Sequence, residues 1–377
     1  MTQKRPVKRP LLLIGGGADD VDVRYASGFS APDPFLYVEK GGERHVVVSM
    51  LELGRAKACG KTLRTHTVDS LGLKGANRRT LGDQAVALLH LLKVQRLLVS
   101  GRCPVGLVRQ LEKAGLTVQI KKDPVFPDRL VKSAEEIKAL RASQRATVAA
   151  MKAARKLIAD TRAGADGILL TPDGNHLTSE RVRHRIEQVL MEAGCRADET
   201  IVAGGDQAVD PHERGFGPLF AGELIVVDIF PCSKISGYWG DMTRTVLKGT
   251  PRPDQRRLVQ TVLKAQREAL SRVKPGMTGK EIHRGICDWF SRAGYETGLM
   301  DGIPQGFIHS TGHGVGLDIH EAPSVGPCGG ELEAGQVITI EPGLYYRGIG
   351  GVRVEDTVVV TESGCSLLAR CGKEWIL

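Results

Sequence analysis

The sequence predicts an α+β protein built from two domains, and three observations indicate this fold class. Strand and helix signals alternate over residues 11–120, which is typical of a mixed α/β domain. Beyond residue 126, a pattern of two helices followed by strands occurs twice. Between these parts, two prolines interrupt the polar segment 123–128, as is common at a domain boundary. We therefore expect a smaller N-terminal domain at 1–125 and a larger C-terminal domain at 126–377.

The composition narrows the range of partners. The chain has 377 residues, of which 41% are hydrophobic and 25% are charged, as in an ordinary globular protein. No apolar run approaches the roughly 20 residues that a membrane span requires, so we expect no membrane partner. The net charge is +9, but Lys and Arg are spread along the chain and only 5% of residues are aromatic, which argues against nucleic acid. Eight cysteines without a C-x-x-C pair favour reduced thiols and a cytoplasmic protein.

The N-terminal domain is predicted from short apolar runs that are separated by amphipathic segments. The short runs have the length and composition of strands, and the amphipathic segments have the period of helices. The predicted strands cover 11–14, 35–39, 45–49, 96–100 and 116–120, and the predicted helices cover 84–92 and 105–114.

The C-terminal domain is predicted to begin with a long helix. Ser133 and Glu136 form a capping box, and the apolar stripe that follows is interrupted by Gln144. A second capping box, Thr278 with Glu281, begins a later helix. The remaining predicted elements are helices at 179–193, 253–273 and 278–293, strands within 201–247, and strand-like sequence from 307 onward.

An internal repeat connects the two halves of this domain. The segment GELIVVD at 222–228 aligns with GQVITIE at 335–341, and each runs from a glycine to an acid. Asp241 then aligns with Glu355, at gaps of 13 and 14 positions from the first acids. Acids at matching strand positions imply two units that face each other across a pseudo-twofold axis. We expect all four carboxylates to meet at its centre.

Converging carboxylates require a compensating charge, because without one they repel each other and their pKa values rise. The run 309–321 adds three histidines to the same part of the sequence. Nitrogen and carboxylate oxygen together suit divalent first-row metals. Four acids and one histidine suffice for two ions about 3.5–4 Å apart, an arrangement that activates a water molecule for hydrolysis.

These motifs resemble the M24 metallopeptidases, which have the pita-bread fold of duplicated ααββ units. The segments HGVGLDIHEAP at 313–323, IEPG at 340–343 and RVED at 353–356 match the family motifs in order, as does the segment around Asp241. The first 120 residues resemble, more weakly, the creatinase-like N-terminal domain of Xaa-Pro peptidases, with YASGF at 25–29. The resemblance implies a pita-bread catalytic domain preceded by a creatinase-like α/β domain.

The resemblance also implies a set of metal ligands. Asp228 would bind one ion through both oxygens, and Asp241 and Glu355 would bridge the two ions. His313 and Glu341 would complete the second ion's site. Two Mn²⁺ ions are favoured, and Co²⁺, Zn²⁺ and Fe²⁺ also suit such ligands.

Other roles are implied for residues around the metals. Glu341 would accept and return the proton of the bridging water, and His320 would stabilise the tetrahedral intermediate. His212 would lie beside the scissile nitrogen, and His309 and Arg353 match positions in the substrate pocket. The implied catalytic residues are therefore Glu341, His320 and His212, and the implied substrate-binding residues are His212, His309, His320 and Arg353.

The function implied is a dinuclear-metal exopeptidase that cleaves the Xaa-Pro bond, at the N-terminus of peptides or in Xaa-Pro dipeptides, with a metal-bridging hydroxide. We expect a homodimer that acts on small peptides with proline second. A creatinase-like non-peptidase hydrolase and a catalytically silent binding module remain alternatives, although the complete ligand set counts against both. The segment DIFPCSK at 228–234 departs from the family's shorter connection, and we expect it to lengthen a hairpin and reshape a substrate wall.

Overall fold

The computed structural model describes residues 9–16, 20–60, 62–73, 75 and 80–377. The chain divides into two compact units, Met1–Pro127 and Asp128–Leu377. Across the described residues, no helix combines the length and the apolar character that crossing a membrane would require.

The N-terminal unit is a six-stranded mixed sheet with helices. Its strands are β1 (Leu11–Gly15), β2 (Phe35–Lys40), β3 (Glu43–Val47), β4 (Leu63–His66), β5 (Arg96–Ser100) and β6 (Thr117–Lys121). Its helices are α1 (Val21–Ser27), α2 (Leu53–Ala58), α3 (Leu81–Leu91) and α4 (Val105–Lys113). The strand order is β4-β3-β2-β1-β5-β6. The pairs β1–β2 and β2–β3 are antiparallel, and the pairs β3–β4, β1–β5 and β5–β6 are parallel.

Both faces of this sheet carry an apolar core, because successive side chains of a strand point to opposite faces. In β1, Leu11 and Leu13 pack in one core with Phe35 and Tyr37. Leu12 packs in the other core, against residues of α3 and α4 such as Leu88 and Leu111. Two-sided burial explains why this strand is a continuous apolar run rather than an alternating one.

The first half of the C-terminal unit contains two helices and a three-stranded sheet. The helices are α5 (Ala134–Ala159) and α6 (Ser179–Glu192), and α5 begins at the predicted capping box of Ser133 and Glu136. The strands are β7 (Arg162–Ala163), β8 (Leu169–Leu170), β9 (Cys195–Arg196), β10 (Ile201–Gly204), β11 (Ile225–Ile229), β12 (Cys232–Ser233) and β13 (Met242–Val246). Strands β10, β11 and β13 form an antiparallel sheet, and both helices share one core with it.

The second half repeats this arrangement. The helices are α7 (Pro253–Arg272) and α8 (Gly279–Arg292), and α8 begins at the predicted capping box of Thr278 and Glu281. The strands are β14 (Gly298–Met300), β15 (Ile303–Gln305), β16 (Gly312–Gly314), β17 (Glu321–Val325), β18 (Val337–Ile340), β19 (Gly343–Tyr346), β20 (Gly350–Arg353), β21 (Asp356–Val360) and β22 (Cys365–Leu367). The sheet order is β17-β16-β18-β21-β22, and α7 and α8 share a second core with it.

The duplicated pattern appears in the strand registers. Strand β11 pairs antiparallel with β13, and β18 pairs antiparallel with β21. Asp228 lies within β11, whereas Glu341 follows directly after the last residue of β18. The two matched helix pairs and sheets thus bring the acids of both repeats to the middle of the unit.

Candidate metal centre

Asp228 is buried in the centre of the first sheet. It is 8% exposed, and all five residues of β11 are buried. Its Oδ2 accepts a hydrogen bond of 2.7 Å from Nη2 of Arg353, which lies in the second half. Its Oδ1 is buried and has no hydrogen-bond partner. A buried carboxylate oxygen without a donor is costly, and a cation would satisfy it.

Asp241 precedes β13 and is held through its backbone. Its N–H donates to Oε1 of Gln144 over 2.8 Å, and its carbonyl accepts from Nε2 of Gln144 over 2.7 Å. Gln144 is the polar residue that interrupts the apolar stripe of α5. The interruption is therefore explained by a paired contact that fixes the backbone of Asp241 and leaves its carboxylate free.

His313 lies in β16 with a fixed imidazole. Its Nδ1 lies 3.1 Å from the carbonyl oxygen of Gly314, so Nδ1 carries the proton. Its Nε2 faces the acids, 3.2 Å from Oε1 of Glu341 and 3.6 Å from Oδ2 of Asp241. When protonated it donates to Glu341, and when deprotonated its lone pair can bind a metal ion. The N–H of His313 also donates to Thr339 Oγ1 over 3.0 Å.

Glu341 and Glu355 are both tied to threonines. Thr339 Oγ1 donates to Oε1 of Glu341 over 3.1 Å. Thr243 Oγ1, from the first half, donates to Oε2 of Glu355 over 2.7 Å. Oε1 of Glu355 is buried without a hydrogen-bond partner, like Oδ1 of Asp228. Each glutamate thus has one oxygen directed by a threonine, and Glu355 has its second oxygen open for another ligand.

The pKa values of the acids reflect burial and the short distances between their charges. Burial raises the pKa of Asp241 well above its ordinary value, and the charges of Glu355, Asp228 and Glu341 raise it further. Burial and the charges of Glu341 and Asp228 likewise raise the pKa of Glu355. Burial also acts to raise the pKa of Glu341, but its hydrogen bond and charge interaction with His313 outweigh it and lower that pKa to about 2.

The donor set fits divalent metal ions. Asp241, His313 and Glu355 each offer a ligand atom, and these atoms all lie within 4.8 Å of one another. The unpaired oxygen of Asp228 adds one more acceptor. Cations would offset the repulsion that raises the carboxylate pKa values. Oxygen ligands with one imidazole suit the harder first-row ions.

A cavity of about 400 Å³ opens above these acids. All nine site residues predicted from the sequence line it, namely His212, Asp228, Asp241, His309, His313, His320, Glu341, Arg353 and Glu355. Its apolar lining includes Ile201, Phe230, Ile308 and Ile319. Phe230 belongs to the 228–234 segment that departs from the family pattern, so this segment contributes to the cavity wall.

Three histidines flank the acids in this cavity. His320 is perpendicular to His313, with ring centroids 4.3 Å apart, and burial lowers the pKa of His320. Burial lowers the pKa of His309 to about 4, so its imidazole is neutral at physiological pH. His212 lies on the loop after Asp210, and its N–H donates to the Asp210 carboxylate over 2.9 Å.

Arg353 and Tyr345 form a hydrogen-bonded chain that the sequence did not reveal. Arg353 Nη1 donates to the Tyr345 hydroxyl over 2.8 Å. His309 Nδ1 donates to the Ser310 carbonyl over 2.8 Å, so Nε2 accepts from the Tyr345 hydroxyl over 2.9 Å. The guanidinium group is therefore engaged by protein on several sides. Tyr345 carried no motif signal, whereas the break in the α5 stripe could have identified Gln144.

Comparisons with known proteins agree with the expected fold and family. The model of metallopeptidase family M24 matches residues 138–362. The chain is 31% identical over 366 residues to a Xaa-Pro dipeptidase of Pyrococcus furiosus, covering 95% of this chain and 93% of that protein. It is 32% identical over 289 residues to the Xaa-Pro dipeptidase of Pyrococcus horikoshii, covering 75% of each.

Solved structures give the same result. A prolidase from Pyrococcus furiosus has a TM-score of 0.79 at 28% identity and covers 97% of both chains. A Xaa-Pro dipeptidase from Bacillus anthracis has a TM-score of 0.83 at 25% identity, covering 98% of this chain and 95% of that one. The predicted α+β class with its pita-bread fold is thereby confirmed. The chain belongs to metallopeptidase family M24 and is a metal-dependent hydrolase.

Proposed function

We propose that this protein is a dinuclear-metal exopeptidase that hydrolyses Xaa-Pro bonds, either at the N-terminus of peptides or in Xaa-Pro dipeptides. The observation that carries the proposal is the convergence of five ligand-type side chains from both halves at one cavity. Those side chains are Asp228, Asp241, His313, Glu341 and Glu355. The names of the related Xaa-Pro dipeptidases support the choice of substrate.

The ligand assignment is the one that the family resemblance implies. Asp228 would bind one ion, with Asp241 and Glu355 shared between two, and His313 and Glu341 on the second. Bound divalent ions would supply a water of lowered pKa and polarise the scissile carbonyl. Mn²⁺ is the ion we favour, and Co²⁺, Zn²⁺ and Fe²⁺ are compatible with these ligands.

The remaining residues act on protons and on the substrate. Glu341 has one oxygen directed by Thr339 and accepts the proton of the attacking water, then returns it to the leaving nitrogen. His320, on the cavity wall, donates a hydrogen bond to the oxygen that develops negative charge. His212 and His309 contact the substrate from other walls, and Arg353 orients Asp228 while facing the substrate pocket.

The assembly and compartment are also proposals. A homodimer is the arrangement that the family resemblance favours, in which the N-terminal domain of one copy would wall off the site of its neighbour and restrict peptide length. The eight cysteines, all within the described part of the chain, form no disulfide with one another, which supports a reducing cytoplasmic compartment. Small peptides with proline second are the proposed partners, and neither nucleic acid nor membrane is among them.

A substrate panel tests the proposal. The protein is stripped with a chelator, reconstituted separately with Mn²⁺, Co²⁺, Zn²⁺ and Fe²⁺, and assayed on Ala-Pro, Ala-Pro-Ala, Met-Ala-Ala, creatine and the matched control Ala-Ala. We expect metal-dependent cleavage of the proline peptides and little cleavage of Ala-Ala. Failure to cleave any Xaa-Pro peptide with any of these ions would falsify the function, and hydrolysis of creatine alone would favour the creatinase-like alternative.

A further inference from the structure

Two buried cations precede helix α5. Arg129 is 8% exposed and Lys132 is 5% exposed. Charged side chains are rarely buried to this degree unless they are paired, because removing a charge from water is costly. Their partners are therefore expected to matter for the structure around them.

Both cations converge on the carboxylate of Glu321. Lys132 Nζ donates to Oε1 over 2.6 Å, and Arg129 Nη2 donates to Oε2 over 2.7 Å. Arg129 Nη2 also donates to Asp318 Oδ2 over 3.0 Å. The partners are separated by 189 or more positions in the sequence, so this cluster fastens the segment before α5 to the turn at 316–321.

The same turn also accepts two hydrogen bonds from Trp239. Trp239 Nε1 donates to the Leu317 carbonyl over 2.8 Å, and the Trp239 N–H donates to the Gly316 carbonyl over 3.0 Å. A Cβ at Gly316 would lie 2.2 Å from Oε1 of Glu321, so the glycine allows the carboxylate to approach the backbone. The turn is thus held between Trp239 and the two cations.

His320 is the residue directly before Glu321 and lines the cavity. Glu321 begins β17, and it is not among the residues that line the cavity, because its carboxylate is bound by Lys132 and Arg129. A shift of Glu321 would pass through the backbone to the adjacent His320, which does line the cavity. Within the described part of the chain no hydrogen bond to this imidazole is found, and its ring packs perpendicular to that of His313.

We infer that Lys132 and Arg129 are positioning residues that hold His320 in its working orientation through the Glu321 carboxylate. The inference rests on the proposed function for the role of His320, although the placement of the ring can be measured without it. Replacing Lys132 leaves Glu321 with one cation and lets the turn shift. A misplacement of about 1 Å can cost as much as 100-fold in rate.

The experiment compares Lys132→Met and the conservative Lys132→Arg in the metal-loaded enzyme with Ala-Pro as substrate. We expect Lys132→Met to lower kcat about 10-fold with KM changed less than about twofold, and Lys132→Arg to restore most of the rate. The control is Lys156→Met. Lys156 is exposed and forms an ion pair with Asp160, four positions further along the chain, so this variant should behave as wild type.

Two further readouts separate positioning from general stability. In a His320→Gln background, adding Lys132→Met should cause no further loss of kcat, because its effect passes through the absent imidazole. In protein labelled at histidine Cε1, the His320 carbon resonance, assigned by His320→Gln, should shift or broaden in Lys132→Met and stay unchanged in Lys156→Met.

An additive loss of kcat in the double variant, or an unchanged His320 resonance, would overturn the inference. If Lys132→Met does not fold, Glu321→Gln removes the charge at nearly constant size and should give the same resonance change. Failure of wild-type enzyme to cleave Ala-Pro would contradict the proposed function, whereas the resonance test would still report on the positioning.

Discussion

Nη2 of Arg353 lies 2.7 Å from Oδ2 of Asp228 and joins the two halves of the catalytic unit at the site itself. The second oxygen of Asp228 is buried without a partner. The arginine thus fixes the rotation of the carboxylate and directs the open oxygen into the cavity. Contacts of this kind set the orientation of a metal ligand.

Loss of this contact should weaken metal binding. We expect Arg353→Met to raise the Kd for Mn²⁺ by about 10- to 100-fold, as is typical when a ligand's orienting partner is removed. Isothermal titration of chelator-treated protein measures this directly. Arg256→Met, at an exposed arginine of α7, is the control, and equal Kd values for both variants would contradict the orienting role.

The contact of Gln144 with the backbone of Asp241 should contribute to both stability and metal binding. Gln144→Leu leaves the buried N–H of Asp241 without its acceptor, while Thr357 Oγ1 still donates to the carbonyl. We expect the metal-free protein to lose about 1–3 kcal/mol of unfolding free energy in urea. We also expect weaker Mn²⁺ binding.

The exposed Gln260 of α7 provides the matched control for that measurement. Gln260→Leu should leave the urea midpoint and the Mn²⁺ affinity close to wild type. If Gln144→Leu behaves in the same way, the paired contact does not hold Asp241 in place.

Glu341 is predicted to be required for turnover but not for folding. Glu341→Ala removes both the proposed ligand and the proton acceptor, so we expect kcat to fall at least 100-fold. The circular dichroism spectrum should be unchanged, because the site lies at the cavity surface rather than within either helix–sheet core. Near-wild-type turnover of Ala-Pro by this variant would refute the assigned role.

A histidine pair gives the N-terminal unit a predicted pH dependence. His45 Nδ1 lies 3.0 Å from His66 Nε2, and burial lowers the pKa of both imidazoles. The folded unit therefore binds fewer protons than the unfolded chain just below the ordinary histidine pKa of about 6.5. The contribution of the pair to the free energy of unfolding is therefore fully present above the unfolded-state pKa. It is lost as the pH falls from that value to the lowered pKa values of the folded state.

Hydrogen exchange of the β3 and β4 amides, corrected for the intrinsic pH effect, measures this loss. We expect a lower opening free energy at pH 5 than at pH 7, and a smaller difference in His66→Gln. His90→Gln, at an exposed histidine of α3, should retain the wild-type difference. An opening free energy that does not change between the two pH values would contradict the role of the pair.

Local signals explain which parts of the fold could be predicted from the sequence. The capping boxes at Ser133 and Thr278 fix helix starts through contacts three residues apart, so α5 and α8 were predicted closely. Helices α1 and α2 have only seven and six residues and were missed, because two turns carry little periodic signal. Strand β4 was missed because its sequence, LRTH, has only one strongly apolar residue.

The residues of the site also differ in whether the sequence could predict them. The four acids lie in motifs that both the internal repeat and the family resemblance indicate, and the roles of the histidines follow from the resemblance. Thr243, in contrast, acts through Glu355, 112 positions away, and Tyr345 acts through His309 and Arg353, 36 and 8 positions away. Neither Thr nor Tyr is a distinctive residue type. The cluster formed by Arg129, Lys132 and Glu321 also depends on tertiary contacts, so no pattern in the sequence could predict it.

The most direct test of the account is the number and position of ions that the protein binds. Crystals grown with Mn²⁺ and measured at a wavelength where manganese scatters anomalously would locate each ion. The account predicts two anomalous peaks per chain, within bonding distance of Asp228, Asp241, His313, Glu341 and Glu355. No peak among these side chains, or manganese bound only elsewhere on the protein, would contradict it.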